Sequence, residues 1–161
     1  MRQMVVGFRD ALGTGMDPEV VDLVTGLRCI GYETILSCGG HVDRSTGGPY
    51  VVMVSKVARE IVRASSSIES RRSARQVVLA ESRGLYELLQ GFYRGRVIDC
   101  ETPRLALQAL GDDALRLTCI NSSVVLGNES IPVEDREQYL DACRGEVDDL
   151  ADFLKLTVSL R

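Results

Sequence analysis

The first half of the chain shows a helical pattern of apolar positions followed by two short strand-like runs. Between residues 17 and 30 apolar side chains recur every three or four positions, which predicts an amphipathic helix. Asp17 is the predicted N-cap, Pro18 fits the first helical position and Gly31 lies just past the end. Apolar runs over 33–37 and 50–54 predict two strands. The local order is therefore helix, strand, loop, strand.

Further helices and strands follow from the same periodicities. Helical spacing predicts helices over 56–64 and 70–92 and a long final helix after Pro132. Alternation over 104–110 and 114–120, around a Gly-Asp-Asp turn, predicts a β-hairpin, and short strands are predicted over 1–8 and 124–126. This order lacks a regular βαβ alternation. It predicts one α+β domain over residues 1–161, with an antiparallel or mixed sheet covered by helices.

Composition places the chain among soluble globular proteins. Of its 161 residues, 45% are hydrophobic and 26% are charged. No apolar run approaches the roughly 20 residues needed to cross a bilayer, so no membrane association is expected. Five cysteines, odd in number and widely spaced, indicate reduced thiols and predict a cytoplasmic location. A net charge of −4 argues against wholesale non-specific nucleic-acid binding.

Candidate chemistry concentrates in residues 34–41, Thr-Ile-Leu-Ser-Cys-Gly-Gly-His, which hold two glycines, a thiol, a hydroxyl and the only histidine. At the end of a strand, successive peptide N–H groups can turn inward and form a concavity that binds anions. Glycines let the backbone approach a ligand closely, and an arginine fork suits phosphate. The predicted function is binding of a small anionic, phosphate-bearing or nucleotide-like ligand without turnover. The predicted ligand-binding residues are Ser37, Cys38, Gly39, Gly40, His41, Arg44 and Tyr50.

Two other chemistries use the same loop. Cys38 and His41 have the spacing of half a zinc site, although the sequence contains no second closely spaced pair of ligands. Alternatively, Cys38 is a nucleophilic thiolate near His41. No third group for this chemistry is fixed by the sequence, although Asp43 is close. Neither a catalytic residue nor a metal ligand is assigned from these alternatives, because a cysteine and a histidine alone do not establish mutual geometry. A tight turn without any ligand is the remaining interpretation.

This stretch resembles a family of uncharacterised bacterial and phage proteins that carry Gly-Tyr-x-Thr, Ser-Cys-x-Gly-His and then an aromatic-led strand. The matching positions are Gly31, Tyr32, Thr34, Ser37, Cys38, Gly40, His41 and Tyr50. The resemblance implies a phage or bacterial origin and brings no activity with it. More distantly, the loop is similar to that of the tRNA wybutosine-synthesis methylase family, Thr-x-Ser-Ser-Cys-Ser-Gly-Arg. Leu36, Gly39 and His41 depart from this second pattern.

The second resemblance implies an S-adenosylmethionine-dependent enzyme that modifies tRNA, with Ser37 and Cys38 lining its site. RNA would then be the partner, and a run of arginines would supply its binding face. Without interleaved aromatic residues, base stacking is not supported. A solvated helix face explains the same run. These arginines are Arg59, Arg63, Arg71, Arg72, Arg75 and Arg83.

Overall fold

A four-stranded antiparallel sheet forms one layer of the fold in the computed structural model, which describes residues 15–42, 47–98 and 101–159. Its spatial order is β1-β2-β4-β3, and each neighbouring pair is antiparallel. The predicted hairpin is confirmed as β3 and β4, with Gly111 at the turn. The predicted strand over 1–8 lies outside the described residues. The strands are β1 (Glu33–Cys38), β2 (Tyr50–Val54), β3 (Leu105–Leu110) and β4 (Ala114–Cys119).

Helices form the second layer, so the α+β prediction is confirmed. A 3₁₀ turn over Pro18–Val20 leads into the first helix. The described helices are α1 (Val21–Cys29), α2 (Lys56–Ala64), α3 (Ile68–Tyr93), α4 (Ser122–Leu126) and α5 (Val133–Ser159). Among them, none combines the length and the apolar character that a membrane-spanning helix requires.

The main core lies between the helices and one face of the sheet. Because consecutive strand residues point to opposite faces, β2 contributes Val51 and Met53 to this core and Val52 and Val54 to a smaller cluster on the other face. Ala114 of β4 belongs to that smaller cluster. The largest side chains of the main core that are fully buried include Leu23, Leu27, Leu85, Leu117, Leu150 and Leu154. Helices α1, α3 and α5 are thereby fixed against the sheet.

The predicted strand over 124–126 is wrong, because these residues lie in the short helix α4. Asn121 adopts a left-handed conformation, with φ of 62°, and its carbonyl accepts hydrogen bonds from the N–H groups of Val124 and Val125. Asparagine enters this conformation more readily than most residues. The Ser122 hydroxyl donates to the Cys119 carbonyl at 2.9 Å, which turns the chain directly after β4. A three-residue apolar run cannot distinguish such a turn from a strand.

Several arginines of the α2–α3 run are paired with the β3–β4 turn. Arg59 contacts Asp113 at 3.2 Å, and Arg75 contacts Asp112 at 2.5 Å. Arg71 also lies near Asp112, at 3.8 Å. Half of the run is therefore used to hold the hairpin against the helices. The RNA partner stays a prediction that these contacts neither require nor exclude.

A buried polar cluster connects α3, β3 and α5. The Leu105 N–H donates to Tyr93 Oη at 2.7 Å, and that hydroxyl donates to Glu146 Oε2 at 3.0 Å. Arg96 donates to Glu146 Oε1 at 2.8 Å and to Asp149 at 2.7 Å. Glu146 is only 4% exposed, and this burial raises the pKa of its carboxyl. Charge and hydrogen bonding together hold three elements that lie far apart in the sequence.

Candidate functional site

The Ser37–His41 segment leaves β1 as a tight loop pressed against α5. The His41 N–H donates to the Gly47 carbonyl at 2.9 Å, which closes the base of the loop. Gly40 has φ of 82°, and a Cβ built there would lie 2.7 Å from Leu140 Cδ1 and 2.8 Å from Pro49 N. Only glycine combines this backbone conformation with such close packing. Gly40 therefore fixes the path of the loop.

Arg144 of α5 clamps the same loop from the other side. Its Nε donates to the Gly39 carbonyl at 3.0 Å, and its Nη2 donates to the Gly40 carbonyl at 3.1 Å. A third contact joins its Nη1 to Asp141 at 3.3 Å. One guanidinium thus satisfies two consecutive carbonyls and holds the peptide N–H groups in a defined orientation. No local signal in the sequence connects Arg144 to a loop more than 100 residues upstream.

Asp17 contributes a carboxylate to the loop, although the sequence predicted that this side chain caps the first helix. It precedes the 3₁₀ turn as predicted, but its side chain makes no capping hydrogen bond, so the N-cap prediction is wrong in its chemistry. Instead, Oδ2 accepts the Gly39 N–H at 2.7 Å. A Cβ built on Gly39 would also lie 2.8 Å from Glu19 Oε2. The peptide donor predicted to meet an anionic ligand is therefore occupied by the protein's own carboxylate.

Asp17, Cys38 and His41 form a compact cluster of three different donor atoms. Their carboxylate oxygen, thiol sulfur and imidazole nitrogen all lie within 4.8 Å of one another, and Asp17 Oδ2 is 3.8 Å from His41 Nε2. Cys38 Sγ is buried and accepts the Gly40 N–H at 3.4 Å. Asp17 and His41 keep 35% and 32% of their side-chain surface exposed. Oxygen, sulfur and nitrogen donors in this arrangement match the ligands of zinc.

A cleft of about 530 Å³ opens beside this cluster, between the loop and the N-terminal half of α5. Its volume lies within the range of small-molecule sites. His41 belongs both to the ligand cluster and to the wall of the cleft. The wall is formed by Gly40, His41 and Val42 on one side, and by Val133, Arg136, Glu137, Leu140, Asp141 and Arg144 on the other.

The remaining predicted site residues lie elsewhere. Ser37 pairs with Val51, which places it on the core side of β1, and its buried hydroxyl has no hydrogen-bond partner within the described ranges. Tyr50 pairs with Cys38 across the sheet, and the Arg116 guanidinium lies 4.3 Å from the centre of its ring. Arg44 falls outside the described residues. The structure thus brings together Cys38, Gly39, Gly40 and His41, while Asp17, Arg136 and Arg144 were missed.

Other cysteines lie apart from this cluster. Cys119 and Cys143 are buried in the main core, where Cys119 Sγ lies 3.7 Å from the Cys143 carbonyl oxygen. The hydrogen bond with Cys143 and then burial raise the pKa of the Cys119 thiol, which keeps it protonated. Cys29 is exposed on α1. In the described part of the chain, Asp17, Cys38 and His41 form the one group of this kind.

Comparison with known proteins identified no relative. Neither the models of known families, nor the curated proteins, nor the solved structures include a match to this chain. The two resemblances of the loop therefore stay predictions, and the functional argument rests on the geometry of the site.

Proposed function

We propose that the protein is a metal-dependent small-ligand-binding protein, with a mononuclear centre formed by Asp17, Cys38 and His41 and with Zn²⁺ as the best-fitting ion. The observation that supports this proposal is the clustering of three donor atoms within 4.8 Å. Bonds of about 2.0–2.3 Å to a tetrahedral zinc place neighbouring ligand atoms about 3.4–3.7 Å apart. The separation of 3.8 Å between Asp17 Oδ2 and His41 Nε2 is already close to that value.

Backbone hydrogen bonds around the cluster favour a metal as its occupant. The Gly39 N–H orients the Asp17 carboxylate, and the Gly40 N–H points at Cys38 Sγ. Such outer contacts fix the orientation of metal ligands and disperse the charge of a bound thiolate. Arg144 binds the Gly39 carbonyl, which shares a peptide unit with the Gly40 N–H, and it also binds the Gly40 carbonyl. Little rearrangement is needed before an ion can bind.

The charges around the loop also favour a cation over a free anion. Asp17 and Glu19 both place carboxylates beside Gly39, and they would repel a phosphate brought to the same peptide group. A divalent cation is attracted by these carboxylates and removes the repulsion. We therefore keep the prediction of an anionic ligand, but we propose that this ligand binds to the metal and not directly to the peptide N–H groups. A reduced thiolate ligand agrees with the predicted cytoplasmic location.

Three protein ligands leave one position of a tetrahedral ion for water or a small molecule, which is the pattern of an open zinc site. The adjacent cleft provides the space for such a molecule, and His41 lines it. We assign binding of an exogenous ligand at this position. No turnover is assigned.

Metal analysis tests the proposal. The purified protein should contain about one equivalent of zinc, and titration with Co²⁺ should produce the absorption band of a cobalt–thiolate bond. Asp17→Asn, Cys38→Ser and His41→Ala should each lower the affinity for Co²⁺ by at least about tenfold, because each removes one ligand. Circular dichroism verifies that each variant is folded.

Cys29→Ser is the matched control, since Cys29 is an exposed cysteine outside the cluster. It should bind Co²⁺ with the wild-type affinity and spectrum. A wild-type protein that binds neither zinc nor Co²⁺ would refute the metal centre. Equal losses in the control and the Cys38 variant would move the ligand set elsewhere.

A further inference from the structure

We propose that the cleft selects a small molecule bearing a carboxylate or phosphate group, and that Arg136 recognises this group while the same molecule reaches the metal. This inference rests on the proposed function, because it names the ligand class of the same site. It goes beyond the metal centre by assigning a second point of attachment on α5. The one side-chain hydrogen bond of Arg136 among the described residues goes to the Leu126 carbonyl and not to Asp17, Cys38 or His41.

Two arginines, Arg136 and Arg144, line the cleft. Arg144 is fully engaged, with two loop carbonyls and Asp141 as partners. Arg136 donates one hydrogen bond, from Nη1 to the Leu126 carbonyl at 3.2 Å. Among the described residues it forms no ion pair, and its buried Nε has no partner. Arg136 is thus held in place without being neutralised, so its charge is available to a ligand.

A guanidinium with free N–H groups on the wall of a cleft binds carboxylates and phosphates in preference to neutral groups. The Leu126 carbonyl anchors the Arg136 side chain from the end of α4. This anchor limits the conformational freedom that the arginine loses when it binds an anion. The contact with α4 therefore prepares the arginine for recognition.

The rest of the cleft defines the body of the ligand. Leu140 is buried in the wall, while Val133 remains 48% exposed, so apolar surface lies beside His41 and Arg136. Glu137 is an exposed acid on the same wall, without an ion pair in the described segments. Its charge opposes an anion and moderates the affinity. The expected ligand is a small molecule with an apolar part and one anionic group.

Three probes of similar shape test the inference on the Co²⁺-loaded protein: benzoate, phenyl phosphate and the neutral benzamide. At least one of the two anions should perturb the cobalt spectrum and bind at least about tenfold more tightly than benzamide. The tighter anion identifies whether the group is a carboxylate or a phosphate. Arg136→Gln should weaken anion binding by about tenfold or more, as expected for a charge-assisted hydrogen bond.

Three further variants make the result specific. Arg136→Lys keeps the charge without the fork and should recover part of the affinity. Glu137→Gln should tighten anion binding, because it removes a repulsive charge. Arg63→Gln removes an exposed arginine at the end of α2, outside the residues that line the cleft, and should change nothing. Thermal melting of each variant corrects for unfolded protein.

The outcomes separate this inference from the proposed function. If the protein binds Co²⁺ but Arg136→Gln binds both anions as tightly as the wild type, the role of Arg136 is refuted and the metal centre stands. Equal binding of benzamide and benzoate refutes it as well. If no metal binds, calorimetry on the metal-free protein still measures Arg136-dependent anion binding. If such binding is present, Arg136 remains the recognition residue. If it is absent, both proposals are overturned.

Discussion

Asp17 illustrates how a single residue can carry a misleading local signal. It stands before a proline at the start of a helical turn, where an aspartate usually caps the helix. Its carboxylate is used instead by a peptide N–H 22 residues later. The Val20 N–H, one of the donors that a capping side chain would use, donates to the Asp17 carbonyl at 3.2 Å, and the Asp17 side chain serves the loop instead. A capping motif therefore supplies what we propose to be a metal ligand.

Gly40 gives a prediction at the same scale. Gly40→Ala should lower the free energy of unfolding by about 2 kcal/mol or more, because an alanine at φ of 82° is strained and its Cβ would press on the backbone at Pro49. Urea denaturation measures the change. The loop geometry, and with it metal binding, should be lost in parallel.

Gly145 provides the matched control for this substitution. It lies in α5, it is exposed, and a Cβ built there meets no atom within 4 Å. Gly145→Ala should raise the free energy of unfolding by about 0.5–1 kcal/mol, since alanine favours the helix. Similar effects of the two substitutions would contradict the steric argument at Gly40.

Some residues of the site are placed by their position in the sequence, and others are placed only by tertiary packing. Cys38, Gly39, Gly40 and His41 were predictable together because they are contiguous and end a strand. Asp17 and Arg144 were not, since their contacts with the loop depend on how the 3₁₀ turn and α5 pack. Ser37 was predicted to bind the ligand, but the alternation of side chains along β1 turns its hydroxyl toward the core.

At the scale of elements, periodicity was a good predictor wherever a segment was long enough to repeat it. Helices α2, α3 and α5 and the β3–β4 hairpin lie where the pattern predicts them, within a few residues. Helix α4 was missed because five residues do not complete two turns, and its conformation depends on Asn121. Pairing of the loop with α5 is a tertiary contact that no local period encodes.

Arg144 provides the prediction for this contact between elements. Arg144→Gln shortens the side chain and removes the hydrogen bonds to Gly39 and Gly40. We expect the Co²⁺ affinity to fall by about tenfold to a hundredfold, because the peptides that orient the ligands lose their support. Competition with a metal-sensitive chelator measures this affinity in the folded variant.

Arg136→Gln serves as the control, because it removes a second cleft arginine that contacts no loop carbonyl among its described hydrogen bonds. Its Co²⁺ affinity should equal that of the wild type. A similar loss in both variants would contradict a specific role for the clamp on the loop, because removing a positive charge does not by itself weaken the binding of a cation.

At the scale of the whole molecule, the buried cluster around Glu146 holds α3, β3 and α5 together. It lies at the start of β3, where the Leu105 N–H contacts Tyr93. Its members come from three segments and include one nearly inaccessible carboxyl. Burial raises the pKa of Glu146, so this carboxyl binds its proton more tightly in the folded protein than in the unfolded chain. The global stability therefore depends on the ionisation of this residue.

The sign of that dependence follows from linkage. An acid whose pKa is raised by folding contributes most to stability at low pH, and the contribution is lost as pH rises through the pKa of the folded state. Glu146→Gln removes this titration. Its free energy of unfolding should therefore improve relative to the wild type as pH rises from roughly 4 to roughly 7.

Urea denaturation at several pH values measures the difference between the two proteins. Asp149→Asn removes the other partner of Arg96 and a nearby charge that makes a smaller contribution to the raised pKa of Glu146, but it leaves the burial that is the main cause. It should therefore keep most of the wild-type pH dependence. A difference between Glu146→Gln and the wild type that stays constant with pH would show that burial does not control this ionisation.

The clamp formed by Arg144 also determines when, during synthesis of the chain, the loop can be held in place. Its hydrogen bonds to the loop span 104 and 105 residues. A ribosome adds residues from the N-terminus, so the ligand-bearing loop leaves the exit tunnel long before α5 is synthesised. During that interval Cys38 is an unclamped thiol on a nascent chain. The loop can therefore acquire its final shape only after α5 has been synthesised and has docked against it.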